Sequence, residues 1–132
     1  MRSIRSHLMA IHRVHSLTSP KSTLGWVGEA MGSDMRAAID AKEYTMLSAA
    51  DGYWLVRHVE SHAGKMRLRC LVFFHLWDGN RTFAAFRKWH RDTWGRFPSK
   101  VSADTFYDDI RMAETIWHAG QALLVSGSHS TR

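Results

Sequence analysis

His58, Glu60 and His62 form the one cluster in this 132-residue chain that has the flavour of a metal site. Two imidazoles and a carboxylate are a ligand set for Zn²⁺ or non-haem Fe(II). Whether they can converge depends on the element that carries them. Tyr53 to Glu60 is rich in aromatic and β-branched residues and reads as a strand. In a strand the three side chains share a face, but a rise of ~3.3 Å per residue sets His58 and His62 ~13 Å apart. That span is too wide for one ion unless the chain bends or an adjacent strand supplies His75. The preferred reading is a surface strand face, with no metal and no cofactor assigned.

Other catalytic patterns are absent. The H-x-E triplet at 58–60 is not accompanied by P-C-x-x-C, so the zinc deaminase signature is incomplete. No G-x-S-x-G, Walker loop or G-x-G-x-x-G occurs. Cys70 is the single cysteine, which excludes an internal disulfide and a multi-thiolate zinc site. It falls within the apolar run Cys70–Phe74 and reads as an inert buried thiol. Asp104, Asp108 and Asp109 could hold Mg²⁺, but stabilisation of a helix N-terminus explains them more cheaply. The chain therefore reads as leaning away from an enzyme.

Charge is the stronger signal. The chain carries 18 Lys+Arg against 12 Asp+Glu, a net charge of +6. Arg57 to Lys100 holds ten bases and three acids, an excess of seven, so the whole surplus lies in that window. Arginine dominates it, and arginine grips phosphate through two parallel hydrogen bonds. Tyr53, Trp54, Phe73, Trp77, Trp89 and Trp94 are interleaved with the cations. Aromatics beside arginines suit the stacking of unpaired bases. The same residues also fit a plainer reading, with the aromatics in a core and the cations solvated.

The elements that must position these groups read as follows. Ile4, Leu8, Ile11 and His15 predict an amphipathic helix over 3–16, within a basic arm at 1–20 that lacks acids. Ser19-Pro20 breaks it, and Asp34 can cap a helix through Met35, Ala38 and Ile39. Residues 44–48, 53–60 and 66–77 read as three strands, joined by an Asp51-Gly52 turn and a turn at 61–65. Met66, Leu68, Cys70, Val72, Phe74 and Leu76 then make one apolar face. Arg67, Arg69, Leu71, Phe73, His75 and Trp77 make a mixed one that needs a cover. Two helices follow over 81–125, the second capped by Ser102 or Asp104 and striped by Phe106, Ile110, Ala113, Trp117, Gly120 and Leu124.

The expectation is an α+β fold in a single domain, 1–132. It has a three-stranded antiparallel meander at 44–77, packed with N-terminal and C-terminal helices. No apolar run reaches the ~18 residues of a membrane span, and residues 1–20 are too interrupted for a secretory signal. The default compartment is the cytoplasm. The function expected is a small basic, non-catalytic nucleic-acid-binding or regulatory module. Arg67, Arg69, Arg81, Arg87, Lys88 and Arg91 would hold phosphates of DNA or RNA, and His75 and Trp77 would contact bases. Two alternatives stay open. One is a protein-interaction module whose mixed sheet face meets a second copy or an acidic protein. The other is a small enzyme with a pocket between sheet and helices.

Overall fold

Five helices, and no strand, make up the described residues. The computed structural model of the chain describes residues 3–18 and 46–126. The helices are α1 (Ile4–Thr18), α2 (Met46–Ala63), α3 (Lys65–Leu76), α4 (Phe83–Trp94) and α5 (Ala103–Ser126). This overturns the α+β expectation. The proposed strands at 53–60 and 66–77 lie in α2 and α3, and residues 46–48 of the first proposed strand open α2. The helix placed around Asp34 and the turn at Ser19-Pro20 lie outside the described residues.

The reason for the misreading sits in α3. Its buried residues are Leu68, Cys70, Leu71, Val72, Phe73 and Leu76. Leu68, Leu71, Val72 and Leu76 form a helical stripe, but Cys70 and Phe73 fill the opposite side. A helix surrounded by others loses its amphipathic period and looks like a fully buried strand. Length separates the two, because twelve residues is long for a strand and ordinary for a helix. The supposed mixed face does not exist: Leu71 and Phe73 are both fully buried. The motive for a sheet-face interface goes with it.

In α2 the buried positions are Ala49, Gly52, Leu55, Val56 and Val59, at helical spacing. The Asp51-Gly52 turn signal was therefore false. Gly52 sits mid-helix because α1 crosses there: a Cβ would fall 2.9 Å from the His7 carbonyl oxygen and 3.0 Å from Ile11 Cδ1. The turn expected at 61–65 collapses to one residue. Gly64, at φ +96°, closes α2 through its N–H to Glu60 O (3.0 Å) and opens α3 by accepting from Leu68 N (3.2 Å). Only glycine adopts that backbone without strain.

The remaining ends follow capping chemistry. Thr82 Oγ1 accepts from Ala85 N at 3.2 Å and starts α4. Ser102 Oγ accepts from Thr105 N at 3.2 Å and starts α5. In α5, Phe106, Asp109, Ile110, Ala113, Trp117, Gly120 and Gln121 are buried along one stripe. Helices α1 and α2 pack on each other, α5 lies against α2 and α3, and α3 also touches α1 and α2. Buried side chains from all five helices join in one apolar cluster. Among the described residues no helix is long and apolar enough to cross a membrane.

A Gly52→Ala substitution tests the helix crossing. In an open helix it would stabilise by up to ~1 kcal/mol. Here the facing atom is backbone, which cannot rotate away, so a net loss of about 1–3 kcal/mol is expected from overpacking. A urea titration reads it as a lower midpoint at unchanged slope. A raised midpoint would show that α1 does not approach α2 this closely.

Candidate polyanion-binding surface

The eight residues singled out by charge and ring chemistry divide into two sets of four. Those on or beside α3 face protein. Arg67 Nε donates to Asp109 Oδ1 of α5 at 2.9 Å, and its Nη1 to the Ala63 carbonyl at 3.2 Å. Asp109 is 7% exposed, so Arg67 serves to neutralise a buried carboxylate. His75 Nε2 meets Glu114 Oε2 at 2.9 Å, half-buried between α3 and α5. Burial lowers the His75 pKa, against the opposing pull of Glu114. Trp77 stacks on Phe73, with ring centres 4.9 Å apart.

Arg69 is held by two contacts from α4. Its guanidinium lies 3.9 Å over the Trp94 ring. Its Nη1 is 3.1 Å from His90 Nε2. Arginine only donates, so that nitrogen accepts and Nδ1 carries the imidazole proton. His90 Nδ1 is buried without a hydrogen-bond partner. Desolvation first, and Arg69 second, push the His90 pKa down to about 4. Arg69 is thus a clamp between α3 and α4.

The other four, Arg81, Arg87, Lys88 and Arg91, are all exposed. Helix α4 explains this. Phe86, Trp89 and His90 point inward, so Arg87, Lys88 and Arg91, one position on and one turn on, point outward. Arg96 and Lys100, in the loop after α4, are exposed as well. They were counted in the charged window but not placed in the binding set, because the loop that ends α4 carries no binding signal of its own. From Arg81 to Lys100 there are thus six exposed cations, and Asp92 is the single carboxylate. The ion pairs seen among the described residues, Arg67–Asp109, His75–Glu114 and Arg111–Asp108, involve none of the six.

Two further features shape this surface. The Arg87 guanidinium sits 5.8 Å from the Phe83 and Phe97 ring centres, which keeps its charge near the loop. Beyond α4, Arg96, Phe97, Pro98, Ser99 and Lys100 line a pocket of about 400 Å³. Cys70 is fully buried, and burial raises its thiol pKa strongly. No family model, curated protein or solved structure matches this chain.

The clamp makes stability depend on pH. His90 is neutral when folded, while an unfolded imidazole takes up a proton below ~6.5. The unfolded state then binds more protons, so the stabilisation is complete above that value and is lost as pH falls toward about 4. His75, shifted in the same direction, adds to the loss. Melting temperature should drop across this window in the wild type. In His90→Gln, whose amide oxygen can still accept from Arg69, unfolding should take up about one proton fewer. An unchanged pH dependence in that variant would place the imidazole outside the clamp.

Proposed function

We propose that this chain is a small basic helical module that binds the phosphate backbone of nucleic acid through the outer face of α4 and the loop to Lys100. The observation that carries the reading is the set of six exposed cations facing a single carboxylate over residues 81–100. Arg81, Arg87, Lys88, Arg91, Arg96 and Lys100 would each neutralise a phosphate.

Geometry supports an extended partner over a compact one. A twelve-residue helix is ~18 Å long, and duplex DNA presents one charge per ~1.7 Å of axis, so several phosphates lie within reach of one face. Arg67, Arg69, His75 and Trp77 leave the binding set, since each is engaged with Asp109, His90, Glu114 or Phe73. The outer face of α4 offers charge with no asparagine or glutamine to read adenine. Contacts of this kind position a partner and carry little sequence information. The role is binding, not catalysis, and the cytoplasm is the compartment that fits it.

Affinity measured against salt is the test. With six phosphates neutralised on a duplex, log K should fall with log[salt] at a slope of about −5. Replacing Arg87, Lys88 and Arg91 together by Gln should flatten that slope by about 3, whereas three Lys replacements should leave it nearly unchanged. These side chains are exposed, so the fold should survive the change. No binding to duplex DNA, single-stranded DNA or RNA at low salt would refute the reading, as would an unchanged slope in the Gln variant.

A further inference from the structure

His58 and His62 were separated by strand spacing in the sequence reading, and helix α2 removes that separation. Side chains four residues apart on a helix start ~5–6 Å apart at Cβ. The two rings lie 4.3 Å apart, centre to centre. His62 Nδ1 is 2.8 Å from the carbonyl oxygen of His58. A carbonyl only accepts, so Nδ1 bears the proton and Nε2 keeps its lone pair. Ligating imidazoles are held in the same way, with one N–H on a backbone carbonyl and the other nitrogen available to the ion.

His58 is the fixed member of the pair. Trp54 stacks on it at 4.8 Å with the planes 13° apart. On α5, Gly120 approaches so closely that a Cβ there would fall 2.9 Å from His58 Cδ2. His62 is exposed and can turn about its side-chain bonds. Two nitrogens at ~2.0–2.1 Å from a tetrahedral ion stand about 3.3 Å apart, so binding requires His62 to turn until one of its nitrogens stands at that distance from one of His58.

We propose that His58 and His62 form a two-imidazole chelate for a borderline divalent transition ion, Zn²⁺, Ni²⁺ or Cu²⁺, on the exposed edge of α2. Glu60 does not complete it: two residues along a helix faces away, and its carboxylate acts on Arg69. Among the described residues no third His, Cys, Asp or Glu joins the pair. The remaining positions fall to water, so the ion is exchangeable. Because the chelate needs the helix, it forms on the folded chain and should stabilise it. This site is separate from the outer face of α4 and does not depend on nucleic-acid binding.

Titration calorimetry on the full chain with NiCl₂, and then ZnCl₂, in a non-coordinating buffer is the test. The wild type should take up one equivalent that His62→Gln weakens by about tenfold or more, and His58→Gln likewise. The other imidazoles provide the control: His118→Gln, at an exposed residue of α5, should leave the isotherm unchanged. Since His62 is exposed, its variant should keep the wild-type melting temperature without metal and lose only the rise that added Ni²⁺ produces. The proposal is overturned if the wild type takes up neither ion saturably. It is equally overturned if the His62→Gln isotherm overlays the wild type, or if His118→Gln loses as much binding as His62→Gln.

Discussion

The seating of α4 rests on a knot of aromatic rings around Phe73, and the charged surface exists because of it. Phe73, on α3, meets Phe86 at 5.4 Å and Trp89 at 5.3 Å, both from α4, and Phe106 of α5 at 6.5 Å. Phe86 in turn stacks on Phe106 at 4.9 Å. Losing a buried ring of this kind typically costs about 3–5 kcal/mol. Once Phe86 and Trp89 are buried, the helical period leaves Arg87, Lys88 and Arg91 no direction but outward. The apolar side of α4 and its cationic side are two consequences of one constraint.

Polar contacts refine what the rings begin. Helix α3 runs through the middle of the bundle yet carries Arg67, Arg69 and His75. Each finds a partner on a different neighbour or position: Asp109 and Glu114 on α5, and His90 on α4. From the other side, Arg5 of α1 donates to the His75 carbonyl at 2.9 Å, at the α3 C-terminus where the helix dipole favours a cation. A buried polar group without a partner is costly, so wrong registers of α3 against α4 or α5 are penalised. Cations that look like ligand-binding groups in the sequence are here the pins of the fold.

Helix ends and the terminal elements were readable from local chemistry. The helix expected over 3–16 spans Ile4–Thr18, and the two expected over 81–125 are α4 and α5, with Ser102 at the cap position named for it. In α4 and α5 one face is apolar and the other wet, so the period survives, whereas α1 is buried continuously over His7–Ile11 and was legible from the spacing of Ile4, Leu8 and Ile11. The central pair was not readable in this way. In α3, Cys70 and Phe73 erased the polar face, and in α2 a glycine required by a helix crossing imitated a hairpin turn. Arg67, Arg69, His75 and Trp77, assigned to a sheet face in the sequence, lie instead on or beside α3, where each contacts a neighbouring side chain.

The amino-acid sequence alone determined that the surplus positive charge is concentrated between Arg57 and Lys100, that no disulfide can form within the chain, and that α4 and α5 carry one apolar stripe each. Those properties depend on residue type and local spacing, which a one-dimensional string contains. Tertiary structure decided which cations reach solvent, that His58 and His62 meet, and that Gly52 and Gly120 serve close packing. Those depend on which helix lies against which. The free energy that chooses such contacts comes from burial between segments far apart in the chain, and no local window records it.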